Sequence, residues 1–401
     1  MVVRKWIALG LLALMLVATG AAAQGTAWFS AVMDGDIVVY DSAGNGTLYD
    51  LPFSYIGQQV WNAAGDKIAV IGSVEGFFEL WLIDLAAGNS YQVSGGIEPF
   101  PPLFNSTGDL LFVLPPEAPD FSGNTPYTVR LMLVAPQQGA QPAQIGSFVW
   151  QVGCGGGSPF PADAVYGLEA GFMGNQLALI ETPYGYLYSN SCAGIGYGLL
   201  NPVTGEDLTI PGSEDMFRAA ISPDGTQLYA VYLNTNDAQR AFPILVRVDL
   251  STLTMTQIPT SAQPDQIAVG VDGAVFYSSR VESGDLLAGL TDEERTRVID
   301  SIGLSADYPI PSYTVSIHRV DPVTNAESLV YQGEGFAVGR MAAVDADTLM
   351  FSVIANQDAF VTALAQGNPF TGVIPVTVYT AETSGTGAVL VGQDVRQFAA
   401  P

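Results

Sequence analysis

Apolar and polar positions alternate along most of this chain in short runs punctuated by Gly, Pro, Asn and Asp, and the spacing of an amphipathic helix is scarce. The alternation is organised into a recurring phrase. An apolar strand leads through an Asp-Gly-type turn to a second strand, and an aliphatic third strand ends in Asp or Asn before a turn and a fourth strand. One copy reads FRAAISPDGTQLYAVYLN (217–234) followed by ILVRVDLSTLTMTQIP (244–259), and another reads VWNAAGDKIAVIGS (60–73) followed by ELWLIDLAAGNSYQVSG (79–95). The third strand and its turn recur as IVVYDSAGNG, LWLIDLAAGN, GLLNPVTGED, LVRVDLSTLT, IHRVDPVTNA and VTVYTAETSG, with LMLVAPQQGA as a weaker copy. A four-strand unit repeating every 40–50 residues or so is the pattern of a β-propeller blade.

The third strands end at Asp41, Asp84, Ala135, Asn201, Asp249, Asp321 and Thr380, which predicts seven blades. The first unit lacks an inner strand and begins directly at its second, near Ala27. The missing strand has a counterpart at the other end of the chain, where VRQFAAP (395–401) repeats the pattern of FRAAISP (217–223). The expected fold is therefore all-β: a seven-bladed propeller over 24–401, closed by a C-terminal inner strand that joins three N-terminal strands. Closure by strand pairing removes the edges that an open sheet would expose.

The SPDG turn at 222–225 followed by LYAVY, together with the AGDKIAV and LWLIDL segments of the second blade, resembles the WD40-like repeats of TolB-type propellers. The resemblance spans nearly the whole chain as a repeat pattern, but the full SPDG motif occurs once, and GFMGNQLALI and VDADTLMFSV depart furthest from it. It implies the fold and says almost nothing of the ligand. TolB proteins carry an additional N-terminal domain for which this chain has no room, so their partners are not carried over.

Residues 1–23 read as a signal peptide. Arg4 and Lys5 precede an apolar run from Trp6 to Val17, and Ala21, Ala22 and Ala23 offer a small-residue cleavage site. That run is below the roughly 18–20 residues needed to span a bilayer. The mature chain is expected in the periplasm, at the cell surface or outside the cell, without stable membrane insertion. In such a compartment Cys154 and Cys192 become a candidate disulfide. The formal net charge of −26, from 13 basic and 39 acidic residues, repels nucleic acid and anionic membranes.

In a four-stranded antiparallel blade, the loops between strands one and two and between three and four share one face. The two-to-three loops and the inter-blade connections share the other. The tight turns at 62–66, 223–226 and 86–90 fall in the first set, and the long insertions at 115–126, 148–166, 182–196, 233–243, 281–312 and 356–375 fall in the second. Long loops on a rigid scaffold concentrate binding residues. TDEE at 291–294 is a capping box that opens a helix with Leu290, Val298, Ile299 and Ile302 facing inward, and 358–366 predicts a shorter helix. Tyr184, Tyr186, Tyr188, Phe121 and Phe160 are placed on this face, either as stacking groups for a ligand or as small cores for the insertions.

Catalytic signatures are sparse. His318 is the single histidine, expected as a surface or inter-strand residue without a catalytic part. There is no G-x-S-x-G elbow, histidine metal cluster, CxxC pair, P-loop or dinucleotide fingerprint, and no cofactor is implied. Asp34, Asp36, Asp41 and Asn45 offer oxygen ligands, but at turn spacing rather than calcium-loop spacing. The expectation is a monomeric, non-catalytic binding propeller that engages a protein, peptide or glycan through its long-loop face. The alternative is a metal-dependent hydrolase or lyase with a carboxylate site in the channel. The candidate ligand-binding residues are Arg218, Arg340 and Arg396, with Gln58 and Gln266 in matching slots. All five follow inter-blade connections and so fall at the long-loop end of the channel. Asp215, Glu334 and Asp394 lie close to the arginines in sequence and leave open a purely structural pairing.

A Cys154–Cys192 bridge would close a loop on the order of 40 residues and contribute roughly 3–4 kcal/mol. Thiol titration of the denatured, unreduced protein is expected to find no reactive thiol; two would refute the pairing.

Overall fold

The computed structural model describes residues 27–33, 36–41, 43–97, 101–115, 127–150, 179–189, 196–233, 242–302, 311–354, 361, 365–367, 376–385, 387–392 and 397–399. They form seven four-stranded antiparallel sheets, the blades of an all-β propeller. Blade one contains β1 (Ala27–Met33), β2 (Asp36–Asp41) and β3 (Gly46–Tyr49). Blade two is β4 (Tyr55–Trp61), β5 (Lys67–Val74), β6 (Phe77–Asp84) and β7 (Asn89–Gly95). Blade three is β8 (Leu103–Phe104), β9 (Leu110–Leu114), β10 (Tyr127–Val134) and β11 (Ala143–Trp150), and blade four is β12 (Leu179–Thr182), β13 (Gly185–Ser189), β14 (Tyr197–Leu200) and β15 (Asp207–Thr209). Blade five is β16 (Met216–Ile221), β17 (Gln227–Tyr232), β18 (Ile244–Asp249) and β19 (Thr254–Ile258). Blade six is β20 (Ile267–Val269), β21 (Val275–Asp285), β22 (Pro311–Val320) and β23 (Glu327–Glu334). Blade seven is β24 (Ala337–Ala343), β25 (Thr348–Ile354), β26 (Val376–Glu382) and β27 (Ala388–Gly392). A last strand, β28 (Gln397–Ala399), lies against β1 with Ser30 opposite Ala399 and Val32 opposite Gln397, so the first sheet runs β28-β1-β2-β3.

The period-two pattern sends alternate side chains to the two faces of each blade, and both faces are buried against neighbours. In β9, Leu110 and Phe112 pack with Leu80 and Leu82 of blade two, whereas Leu111 and Val113 pack with Tyr186 and Tyr188 of blade four. In β21, Val275 and Tyr277 face Tyr229 and Val231 of blade five, while Phe276 faces Leu349 and Phe351 of blade seven. The ring is completed where Phe29 and Ala31 of blade one meet Met350 and Val378 of blade seven.

The Asp or Asn that ends each recurring phrase holds the turn that follows it. Asp84 Oδ1 accepts from Ala87 N, Asn201 Oδ1 from Val203 N and Thr204 N, Asp249 Oδ1 from Ser251 N and Thr252 N, and Asp321 Oδ1 from Val323 N and Thr324 N. A side-chain oxygen thereby replaces the missing backbone acceptor, which is why these positions need Asp or Asn. Asp41 belongs to the same class: its oxygens take Ala43 N, Asn45 N and Asn45 Nδ2, so of the group weighed as calcium ligands Asp41 and Asn45 form a turn, Asp36 begins β2 and Asp34 lies outside the described residues.

The insertion at 281–312 is partly sheet. β21 and β22 continue as paired strands to Asp285 and Pro311, past the length of the other blades' hairpins. Between them runs α1 (Asp292–Ile302), capped as its sequence requires: Thr291 N donates to Glu294 Oε2 at 3.0 Å and Glu294 N to Thr291 Oγ1 at 3.4 Å. Val298, Ile299 and Leu287 form a satellite core with Val361 and Ala365 from the corresponding insertion of blade seven. At these residues the insertions of adjacent blades pack against each other.

Removing residues 394–401 would take away β28 and expose a blade-one edge, with the β1–β28 pairing and the Ala399 contact to the core shared with blade two lost together. The expected cost is about 3–5 kcal/mol, at the upper end of single-site losses. Thermal or urea unfolding reads it; an unchanged midpoint would mean that this strand does not hold the ring.

Candidate active site

The inner strands β4, β16, β20 and β24 carry the slots singled out in the sequence, and three of them break register at the same level. Extra residues fall between Ile56 and Gln58, between Phe217 and Ala219, and between Val338 and Met341. Bulges of this kind re-aim side chains and are over-represented beside active sites. Gln58 and Arg340 are half-buried there, and the Arg340 amide donates to Ser352 Oγ at 2.8 Å. Blade six repeats the arrangement without a printed break in its pairing. Gln266 N donates to Ser278 Oγ at 3.0 Å, Ser278 N to Gln266 O at 2.9 Å, and Asp265 N to Ser278 O at 2.8 Å. Arg218, Arg340, Gln58 and Gln266 thus share one end of the inner strands, while Arg396 lies outside the described residues.

Arg218 is the bulged residue of β16 and holds φ at +54°, a left-handed conformation that costs energy in a residue other than glycine. Its side chain is buried, at 5% exposure. Burial lowers its pKa, opposed first by the charge of Asp265 from the next blade and then by Tyr197 from the previous one. The carboxylate that favours its charge therefore comes from blade six. No spacing in the sequence pointed to Asp265, because the two residues meet only across a blade interface.

Asp265 brackets Ser278, and the next residue along β21 opens a second constellation. Ser279 Oγ lies 3.2 Å from His318 Nε2 on β22, and His318 Nδ1 lies 3.0 Å from Glu327 Oε1 on β23. Three adjacent strands thus present a hydroxyl, an imidazole and a carboxylate in line. Glu327 is held by Ser261 N at 2.9 Å, by the Ser261 hydroxyl and by Tyr277 Oη at 2.8 Å, and those bonds keep its pKa below the usual glutamate value against the opposing effect of burial. An ionised Glu327 only accepts, so it selects the imidazole tautomer with the proton on Nδ1 and leaves Nε2 to accept from Ser279. Burial lowers the His318 pKa, only partly offset by Glu327, so the imidazole is neutral at pH 7 and able to take a proton. His318 also stacks on Tyr277, with ring centroids 4.8 Å apart and planes at 9°.

Part of this cluster is scaffold. In blade four, Tyr188 Oη donates to both oxygens of Asp207 at 2.9 Å, the same pairing of a second-strand tyrosine with a fourth-strand carboxylate. Strand-three residues opposite such an aromatic elsewhere are Tyr40, Arg247 and Tyr379. What blade six adds is an imidazole at that position and a serine hydroxyl within its reach. The sequence reading of His318 as an inter-strand residue was correct in place, but it missed both partners.

Other expected site residues fall elsewhere. Tyr184 lies in the turn between β12 and β13, on the short-turn face rather than the long-loop face, because Gly185 at φ +135° closes a tight turn that Thr182 Oγ1 secures by donating to Gly185 O at 2.8 Å. Tyr186 and Tyr188 follow on β13 and are buried in the core between blades three and four. Phe121, Phe160, Cys154 and Cys192 lie outside the described residues. Among the described residues, no three His, Cys, Asp or Glu side chains converge in a way that could hold a metal ion.

The fold has many solved counterparts. The chain superposes on the β-propeller domain of the trilobed protease from Pyrococcus furiosus with a TM-score of 0.52 at 11% identity, covering 89% of this chain and 86% of that one. It superposes on an oligogalacturonate lyase in complex with manganese with a TM-score of 0.50 at 13% identity, covering 86% and 82%. A 6-phosphogluconolactonase-like protein from Bacteroides fragilis gives 0.52 at 10% identity, covering 95% and 99%. No protein-family model and no curated protein matches the sequence. The chain is a seven-bladed β-propeller. At these identities the likeness shows that fold and nothing finer. The expectation of a non-catalytic binding protein, and with it that of no enzyme activity, is corrected to this extent: the fold is not peculiar to non-catalytic proteins. The same fold is borne by a lyase, a lactonase-like protein and part of a protease, and blade six supplies acid–base groups whose absence that expectation assumed.

As the single histidine, His318 gives one imidazole signal in a proton NMR titration, expected to titrate below about 6.5, the ordinary value. Glu327→Gln removes the group that raises its pKa, so the midpoint is expected to fall further. Because the unfolded chain takes this proton at higher pH than the folded one, the contribution is stabilising above the unfolded value and shrinks as pH falls below it. A midpoint that rises in Glu327→Gln would contradict the assigned contact.

Proposed function

We propose that this propeller is a hydrolase of ester-type substrates, with Ser279 as nucleophile, His318 as general base and Glu327 as the group that orients the imidazole. The observation that carries the reading is the pair of contacts on His318: Ser279 Oγ at 3.2 Å on one ring nitrogen and Glu327 Oε1 at 3.0 Å on the other. That is the arrangement of a nucleophile, base and orienting acid, which is recognised by geometry rather than by sequence order. Ser279 Oγ adds to the substrate carbonyl carbon as its proton passes to His318 Nε2. The tetrahedral adduct collapses, the bond to the leaving oxygen breaks, and that oxygen takes the proton from Nε2. Water then attacks the acyl-serine with the same base, releasing the acid and restoring the hydroxyl.

The propeller neighbours named as lyase, protease and lactonase-like proteins support the hydrolase or lyase class. The relay favours hydrolysis within it. The single SPDG turn and the AGDKIAV unit support grouping the repeats with the WD40-like type of TolB propellers, and the basic, apolar and small-residue order of 1–23 supports export.

Hydrolysis of 4-nitrophenyl butyrate tests the reaction. Ser279→Ala and His318→Ala are each expected to lower kcat by at least about 100-fold, the scale of general-base and nucleophile losses. The melting temperature of Ser279→Ala should stay close to that of the parent. Turnover that persists in Ser279→Ala, or a parent protein no faster than that variant, would leave the cluster as a structural staple between the blade-five connection and blade six.

A further inference from the structure

We propose that the outer rim of blade five, on its blade-six side, is a saccharide site in which Arg247, Asp249, Gln227 and a row of threonines take one neutral sugar ring of a glycan. The inference does not draw on the hydrolase reading. In β18, Val246 and Val248 pack toward blade four, so Arg247 and Asp249 point to the opposite face. On that face Tyr229 packs against Val275 and Tyr277 of blade six. Blades set radially diverge away from the axis, and outward of Tyr229 this face turns polar. Two cross-strand rows lie on it: Gln227, Asp249 and Thr254 in one, and Tyr229, Arg247 and Thr256 in the next. The polar members of both rows, with Thr252 from the turn before β19, line a cavity of about 380 Å³. That volume lies within the roughly 300–1,000 Å³ of small-molecule sites.

The charges in this cavity lack the counter-ions that other blades supply. In blade two the carboxylate that ends the third strand is paired, Lys67 Nζ to Asp84 Oδ2 at 2.6 Å. In blade six the arginine two residues before that position is paired, Arg319 to Asp272 at 2.6 Å. Blade five repeats the Arg-Val-Asp of 319–321 at 247–249, yet neither charge there has an ion-pair partner among the described residues. Arg247 donates to Pro322 O at 3.4 Å, its single hydrogen bond among the described residues. Asp249 Oδ1 is occupied by the Ser251 hydroxyl and by the amides of Ser251 and Thr252, whereas Oδ2 receives only Gln227 Nε2, at 3.4 Å. The bond from the Ser251 hydroxyl, followed by that from its amide, holds the Asp249 pKa to about 2, so the open oxygen is ionised. The hydroxyls of Thr252, Thr254 and Thr256 have no partner among the described residues.

The unmet groups alternate in kind. The guanidinium donates, Asp249 Oδ2 accepts, and each threonine hydroxyl does either. A sugar hydroxyl also does both, so neighbouring hydroxyls of one ring can accept from Arg247 and donate to Asp249 while others meet the threonines. A free carboxylate or phosphate is repelled by Asp249 and by the net charge of −26. A zwitterion such as glycine satisfies Arg247 and Asp249 and leaves the threonine hydroxyls unused.

Methyl β-D-galactopyranoside, methyl β-D-glucopyranoside and methyl α-D-mannopyranoside are each titrated into protein with isotope-labelled threonine methyls, and the methyl signals are followed by NMR. At least one glycoside is expected to shift the signals of Thr252, Thr254 and Thr256 saturably, with a Kd of about 1–10 mM. Arg247→Gln and the double variant Thr254→Val/Thr256→Val, both read at Thr252, are each expected to weaken that binding by about tenfold. The valines keep the shape of threonine and remove only the hydroxyls, so a melting temperature close to the parent's is expected. Ser279→Ala should bind the glycoside as the parent does, which separates this site from the proposed reaction. Three outcomes would each overturn the proposal: no saturable shift with any of the glycosides, binding unchanged in both variants, or glycine shifting the same signals at the same concentrations.

Discussion

Every feature of this protein depends on each blade burying both of its faces against a neighbour. A four-stranded sheet of this size has no stable existence with one face in water and apolar residues on both sides. The chain meets that requirement by setting the blades in a ring, so that Leu110 and Leu111, or Val275 and Phe276, serve two different cores from adjacent positions in one strand. The arrangement cannot terminate at an end blade, because that blade would expose a whole apolar face. Pairing of Ser30 with Ala399 and packing of Phe29 against Met350 tie the first and last parts of the chain into the same ring.

The same constraint creates the candidate site. Polar side chains that point into a blade interface must find partners there, since an unpaired buried polar group is costly. Between blades five and six they do so in a chain: Ser261 and Tyr277 bond Glu327, Glu327 faces His318, and His318 faces Ser279. In blade four, Tyr188 donates to Asp207 at the corresponding place. In blade six the scaffold pairing is extended by an imidazole and a hydroxyl. Stacking on Tyr277 and the Glu327 carboxylate at its edge fix the imidazole, which is the preorganisation that the proposed proton transfer would use.

The sequence by itself determined the blade. The Asp or Asn that ends a third strand is legible because the turn needs a side-chain acceptor at that place, and Asp84, Asn201, Asp249 and Asp321 all provide it. The capping box at Thr291 and Glu294 was legible for the same reason: it is local chemistry between residues three apart. Blade four was misread at Tyr184 because its first strand is short and its turn hangs on Gly185, so that a hairpin looked like part of a long insertion.

Only the tertiary structure decided which polar residues meet. Ser279, His318 and Glu327 sit on three strands of one sheet, and the spacing between them along the chain is set by a hairpin insertion that carries α1 and has no part in their contact. Asp265 and Arg218 belong to different blades, and their proximity follows from how two sheets pack, which no repeat pattern encodes. Local hydrogen bonds and period-two alternation act over a few residues and leave a record in the sequence. Contacts across strands and blades depend on register and on the angle between sheets, and those are fixed only when the ring closes.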